Sequence, residues 1–167
     1  MYVTVADFIK EWNREADLTL HVLDGLTDEA LQQQVHGEGR SLGRIAWHLT
    51  TNIPEYLTEF GLKMEAVPNA EVVPATAKEI AATFRQVSAR AAEVIQANWR
   101  DESLGQVQEA FGRQESNAAI IMGLIKHIVH HRGQITVLMR QAGLKPYGVY
   151  GPPKEDWVRY GVEHAPL

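Results

Sequence analysis

Apolar positions recur every three or four residues along most of the chain, which is the period of an amphipathic helix. Four segments carry this pattern: residues 4–26, residues 42–60, a segment that opens at residue 76, and residues 116–142. Four long helices, each apolar on one side, predict an all-α four-helix bundle whose stripes meet in a common core. The stripe of the first segment illustrates the spacing: Phe8, Trp12, Ala16, Thr19, Leu23 and Leu26.

The ends of these segments carry residues that satisfy free backbone groups. Ser41 and Ser116 precede the second and fourth segments, and Thr76 opens a Thr-x-x-Glu capping box before the third. Gly143 follows the fourth segment, as glycine commonly follows a helix. Residues 99–115 contain glycines and only weak alternation, which is compatible with a small hairpin or an irregular crossover. We therefore predict a short crossover segment before the last helix.

The last part of the chain, residues 144–167, is rich in proline, glycine and aromatic residues. We expect an ordered C-terminal tail over the bundle, because its large aromatic side chains would otherwise remain in water. A length of 167 residues is typical of one domain, so we expect a single domain over residues 1–167. The aromatic side chains in question are Tyr147, Tyr150, Trp157 and Tyr160.

Composition narrows the possible chemistry. The chain has no cysteine, which excludes disulfides, thiolate metal sites and a cysteine nucleophile, so thiol chemistry would need an external thiol. The formal net charge of -5 gives no support for binding to nucleic acid. No run of about 18 apolar residues predicts a membrane span. The N-terminus lacks the features of a signal peptide. We therefore expect a cytoplasmic protein without nucleic-acid or membrane partners.

Three of the seven histidines lie in the segment KHIVHHRGQ, residues 126–134. At about 100° per residue, His131 lies about 20° and His127 about 60° from the centre of the apolar stripe, whereas His130 lies about 120° away. His127 and His131 thus form an inward i, i+4 pair, a spacing that suits two ligands of one metal ion. A pair of hydrogen-bonded core histidines explains the same spacing, so both interpretations stay open.

A third metal ligand would have to come from a facing helix. His48, in the stretch GRIAWHLTTN, lies about 60° from Ile45 on the inner side of the second helix. Taken alone, it is equally explained as a half-buried histidine beside Trp47. Three other histidines are expected at the surface: His21, His36 and His164.

The histidine after GRIAW, followed by HIVHHRGQITVLMRQAGLKP in the last helix, resembles the DinB/YfiT-like superfamily of bacterial metal-binding four-helix bundle proteins. The resemblance covers the whole chain in helix order and length. It implies that His48, His127 and His131 form the metal-binding triad of that superfamily. Its members include S-transferases that use bacillithiol or mycothiol, a mycothiol-dependent isomerase and metal hydrolases.

Three neutral imidazoles leave a divalent ion with an open position, the arrangement typical of catalytic sites. Zinc is the expected metal, and nickel, iron and manganese are also compatible with imidazole ligands. We expect a metal-dependent thiol S-transferase acting with a low-molecular-weight thiol such as bacillithiol. The alternatives are a metal-dependent hydrolase and a non-catalytic metal-binding or stress-response module.

Several polar residues lie within about one or two turns of the predicted ligands. Glu55 is the only carboxylate among them and is the candidate general base or histidine partner, although an exposed helical glutamate explains it as well. Asn52 and Gln134 are candidate pocket residues. Arg132 and Arg140 are candidates for attracting an acidic thiol, or else are solvated or paired.

The last helix also has apolar residues on a second side, about 100–180° from the core stripe. A helix that is apolar on two sides must bury both, so we expect a homodimer, as the superfamily resemblance also implies. Cover from the C-terminal tail or from residues 99–115 of the same chain is the alternative. The residues on this second side are Met122, Ile125, Val129 and Gly133.

Overall fold

A computed structural model describes residues 2–163 of the chain, and His164 lies outside the described residues. Its main elements are four long helices, and the predicted all-α four-helix bundle is confirmed. Within residues 2–163, no helix combines the length and apolar character that crossing a membrane requires. The helices are α1 (Val5–Leu23), α2 (Leu42–Glu59), α3 (Ala77–Asn98) and α4 (Asn117–Gln141).

Side-chain caps define where the helices begin. The hydroxyls of Ser41, Thr76 and Ser116 accept hydrogen bonds from the backbone amide three residues later, at 3.2, 3.2 and 3.3 Å. These three caps were predicted and are confirmed. Helix α4 ends as expected before Gly143, which has a φ of 78°. Helix α1 ends at Leu23, three residues earlier than residue 26, because the amides of the next residues close a turn there.

The segment between α3 and α4 contains a β-hairpin, which was one of the two predicted alternatives. A 3-10 turn (Asp101–Gly105) leads into strands β1 (Val107–Ala110) and β2 (Arg113–Ser116), which pair antiparallel with Ala110 opposite Arg113. The two-residue loop, Phe111 and Gly112, has φ angles of 53° and 77°, as expected for a tight hairpin turn. The hairpin therefore delivers the chain directly to the cap of α4.

Helices α2 and α4 run antiparallel and carry the residues of interest between them. Near one end of the contact, the ring of His48 faces the rings of His127 and His131. Near the other end, the Tyr56 hydroxyl donates a hydrogen bond of 2.7 Å to the carbonyl oxygen of Ile120. These two contacts define the axial register of α2 against α4.

The C-terminal segment differs from expectation. Tyr147, Tyr150 and Tyr160 are 47%, 63% and 69% exposed, so the prediction that the aromatic residues are buried is wrong. Polar contacts hold this segment instead. Arg140 pairs with Glu155 at 2.6 Å, and Lys145 pairs with Asp156 at 2.7 Å. The pair with Arg140 attaches the segment to the end of α4, and the three tyrosine rings remain exposed. Trp157 is half-buried.

The second apolar side of α4 is only partly covered by its own chain. Ile125 is buried at 5% exposure within its own chain, so this residue needs no second copy to cover it. Met122 and Val129 are half-buried, and Gly133 is exposed. The remaining open part of α4 includes Val137, which is 55% exposed.

Candidate metal centre

Helices α2 and α4 bring together the three predicted histidines. One ring nitrogen from each of His48, His127 and His131 lies within 4.8 Å of the other two. The ring centroids are 5.3 Å apart for His48 and His127, 4.9 Å for His48 and His131, and 4.4 Å for His127 and His131. Three imidazole nitrogens at this separation form a group that can hold one divalent ion.

Gln134 determines the orientation of His131. Its Oε1 lies 2.7 Å from His131 Nδ1, and because an amide oxygen only accepts, Nδ1 carries the hydrogen. The other nitrogen, Nε2, then presents its lone pair to the group. A carbonyl partner on the far nitrogen of a histidine is the usual support of a metal ligand. Gln134, expected as a pocket residue, therefore acts behind a ligand.

The hydrogen bonding of His127 indicates whether these residues fit a metal ion. Its Nε2 is buried and has no hydrogen-bond partner among the described residues. Leaving a buried polar atom unpaired costs about 1–3 kcal/mol, so the atom requires a partner that is not a protein group of residues 2–163. A cation bound between the three rings satisfies this nitrogen, and the histidines fit a divalent metal ion.

Burial keeps the three imidazoles neutral. It is the main cause that lowers the pKa of His48, His127 and His131, and the pKa of His127 falls to about 4. The positive charge of Arg40 lowers all three pKa values further. Metal ligands must be deprotonated, so the environment holds the histidines in the form that binds metal near neutral pH.

The field around the histidines is positive. Arg40 is exposed, and Arg44 is held by a hydrogen bond of 3.1 Å from its Nη1 to the carbonyl oxygen of Glu71. Within residues 2–163, no carboxylate oxygen belongs to the histidine group. The sequence reasoning missed both arginines, although Arg44 lies one turn before His48 on the same helix and was detectable by its spacing. The arrangement favours an anionic ligand.

Glu55 and the two arginines of α4 do not join the group. Glu55 is exposed, and its carboxylate makes no hydrogen bond or ion pair with any residue in 2–163. Arg132 is buried and donates to Glu15 at 2.6 Å, while Arg140 pairs with Glu155. Both arginines are paired, as the alternative interpretation had it, and a carboxylate already neutralises each guanidinium. The last candidate, Asn52, is half-buried on α2.

The fold and the histidine group define a helical-bundle protein with a candidate three-histidine metal centre. The chain belongs to the DinB family, whose model matches residues 1–164, so the predicted family is confirmed. The chain is 40% identical over 163 residues to the uncharacterized protein YrdA of Bacillus subtilis (strain 168), and the match covers 98% of each protein.

Two solved structures share the fold. A DinB-like protein from Bacillus cereus ATCC 10987 is 45% identical, with a TM-score of 0.84 over 90% of this chain and 100% of that one. The DinB-like protein YjoA from Bacillus subtilis is 12% identical, with a TM-score of 0.67 over 87% of this chain and 99% of that one. The second comparison shows the fold alone.

Proposed function

We propose that this protein is a metal-dependent S-transferase that joins a low-molecular-weight thiol, such as bacillithiol, to an electrophilic small molecule. The observation that carries the proposal is a group of three neutral imidazoles in a positive field, with no carboxylate among its members. Such surroundings stabilise a thiolate, which needs no built-in general base once its proton has left. We also place the protein in the cytoplasm, where small thiols stay reduced.

The chain contributes the ligands and the field. His48, His127 and His131 would hold the ion, and Gln134 keeps His131 turned toward it. Zinc is the proposed metal, with nickel, iron and manganese also compatible with imidazole ligands. When bound, the ion supplies positive charge that lowers the pKa of a thiol at the site.

The proposed reaction is a substitution at carbon. The thiol releases its proton to solvent, and a sulfur electron pair forms the new S–C bond. The bond from carbon to the leaving group breaks, and a halide departs with that electron pair. Arg40 and Arg44 contribute positive charge that stabilises both the incoming thiolate and the departing anion.

A metal-dependent hydrolase is the second candidate. It is favoured by the position of Glu55, two turns beyond His48 on the same face of α2 and exposed to solvent, where a substrate can reach it. A bound metal can lower the pKa of water to about 7, and Glu55 would then act as the base. The third candidate is a module that binds the metal without catalysing a reaction.

The test uses protein loaded with zinc or nickel, bacillithiol and a chlorinated aromatic acceptor, with thioether formation followed by absorbance. We expect turnover that requires both metal and thiol and that falls at least about 100-fold in His131→Ala. His130→Ala is the matched control, since His130 is exposed and lies outside the group. Hydrolysis of a nitrophenyl ester that is lost in Glu55→Gln would support the hydrolase, and no turnover in either assay would support the non-catalytic module.

A further inference from the structure

Three buried side-chain atoms have no hydrogen-bond partner within the described part of the chain. They are Trp47 Nε1, Asn52 Oδ1 and His127 Nε2. An unpaired buried polar atom is unfavourable, so each position indicates a partner of definite chemistry. The indole nitrogen of Trp47 can only donate, whereas the amide oxygen of Asn52 presents lone pairs. Of these two, only Asn52 can bind a cation.

Helical spacing indicates that Asn52 lies toward the end of the histidine group at which His127 lies. Asn52 lies one turn beyond His48, in the direction in which Tyr56 meets Ile120. On α4, His127 lies one turn from His131 in that same direction. Each helix therefore offers an i, i+4 pair to the space between them, and the two unpaired lone-pair atoms lie toward the same end of the group.

No hydrogen bond joins Asn52 to His127, although both atoms lack a partner. One water molecule can donate a hydrogen bond to each of these atoms, and a cation held by the histidines can instead accept an electron pair from each. We propose that Asn52 Oδ1 is a fourth protein donor of the metal centre. This inference rests on the metal binding in the proposed function and is independent of the reaction.

An amide oxygen changes which metals the centre prefers. Imidazole suits zinc, copper, iron and nickel, whereas carbonyl oxygen suits harder ions such as manganese. A set of three imidazoles and one amide oxygen thus binds manganese better, relative to zinc, than three imidazoles alone. The amide is also neutral and weakly held, so an incoming ligand can replace it.

The first test measures the dissociation constants of zinc and manganese by competition with a chromophoric chelator. We expect Asn52→Leu to weaken manganese binding at least about tenfold and zinc binding less, and Asn52→Asp, which keeps an oxygen donor, to retain or tighten both. Asn13→Leu is the matched control, because Asn13 is exposed on α1. Unchanged constants in Asn52→Leu would overturn the inference.

The second test is a crystal structure of the manganese-loaded wild-type protein. An Oδ1-to-metal distance of about 2.0–2.4 Å supports the inference. A distance above about 3 Å, or a water between the amide and the ion, overturns it. His131→Ala separates this outcome from failure of the whole centre. If His131→Ala loses metal while Asn52→Leu keeps it, only the fourth donor is rejected. If His131→Ala binds as the wild type does, the centre and the inference both fail.

Discussion

At the scale of single residues, a substitution of Gln134 tests whether its hydrogen bond with His131 helps that histidine to bind metal. Replacing it with methionine keeps the volume but removes the oxygen that holds His131 Nδ1 at 2.7 Å. We expect Gln134→Met to weaken metal binding about 10- to 100-fold, because the ring is then free to rotate or to change tautomer. Gln134→Glu keeps an acceptor and should bind metal close to normally. Titration against a chelator measures both.

Gln141→Met is the control for that substitution. Gln141 is exposed on the same helix and lies outside the histidine group. Equal affinity in wild type, Gln134→Met and Gln141→Met would show that the contact does not support the ligand.

Glu15 and Arg132 form an ion pair inside the bundle, with the two side chains only 6% and 2% exposed. Arg132 Nη2 donates to Glu15 Oε2 at 2.6 Å, Arg132 Nη1 donates to Thr19 Oγ1 at 3.1 Å, and the Tyr150 hydroxyl donates to the same carboxylate at 2.7 Å. Glu15→Gln leaves the guanidinium buried without a countercharge. We expect the free energy of unfolding of the metal-free protein to fall by about 3–5 kcal/mol in urea.

The matched control is the same change in an exposed pair. Glu93 meets Arg90 at 2.8 Å with both side chains largely in water, and Glu93→Gln should cost about 0.5 kcal/mol or less. If Glu15→Gln lowered the free energy of unfolding by as little as Glu93→Gln, water would have to reach Arg132 freely in the folded protein.

The residue scale also shows what helical spacing can and cannot predict. The inward positions of His127 and His131 follow from spacing alone, because both lie on the apolar stripe of one regular helix. Arg132 lies about 80° from the centre of that stripe, at its border. Spacing cannot decide whether such a residue is buried, since the answer depends on Glu15 facing it from α1. The proximity of Arg40 was also missed, because it depends on the path of the loop before α2.

At the scale of elements, the close approach of α2 and α4 depends on Gly123. A Cβ atom at this position would lie 2.7 Å from the Tyr56 hydroxyl oxygen, which bonds to Ile120. We expect Gly123→Ala to destabilise the protein by about 1–3 kcal/mol, since the hydrogen bond must break or the helices must separate. Urea unfolding measures the loss.

A double substitution identifies the cause. Tyr56→Phe removes the oxygen that the new methyl group would meet. The loss in the double variant should therefore be smaller than the sum of the two single losses, whereas strict additivity would point to a defect within α4 alone.

The C-terminal segment gives the pH-dependent prediction. Hydrogen bonds from Arg140 lower the pKa of Glu155 from 4.5 to about 2. Because the folded-state pKa lies below the unfolded one, the pair stabilises the folded protein above about pH 4.5, and this contribution is lost as the pH falls toward 2. Carboxyl carbon NMR should show the pKa of Glu155 returning toward 4.5 in Arg140→Gln. The pKa of Glu155 should remain low in the control variant Arg90→Gln. A pKa near 4.5 for Glu155 in the wild type would contradict its contact with Arg140.

Helix starts were predictable because a capping hydroxyl and the apolar period point to the same residue, as at Ser41 and Ser116. The C-terminal segment was not predictable in this way. Its aromatic content suggested apolar burial, but Arg140 attaches it to α4 through Glu155, and Lys145 pairs with Asp156 within it. These pairs join residues 11 and 15 positions apart, from α4 or the loop after it to a 3-10 helix (Lys154–Tyr160), so no single helical or strand period relates the partners.

At the scale of the whole molecule, the bundle was predictable because four apolar stripes of similar length have one simple way to be buried together. The level at which the helices meet was harder. It is set by contacts such as Tyr56 with Ile120, and a shift of one turn would separate His48 from the pair on α4. The family resemblance supplied this pairing, and the geometry of α2 and α4 gives its physical basis.

The open side of α4 is the basis for proposing a homodimer. Met122, Val129, Gly133 and Val137 follow one line of the helix away from the core, and Val137 is 55% exposed. A small residue at 133 allows a second helix to approach closely. A stable dimer buries about 1,200–2,000 Å² in total, which a helix-to-helix contact extended by neighbouring residues can provide.

Sedimentation equilibrium at micromolar concentration decides whether this side pairs with a second copy. We expect the mass of two chains for the wild type and of one chain for Val137→Glu, because a charge buried in the contact must be desolvated. Val72→Glu is the control, since Val72 is 60% exposed in the loop before α3. If the wild type has the mass of one chain, the dimer is rejected, and the apolar line on α4 is a surface left open to water.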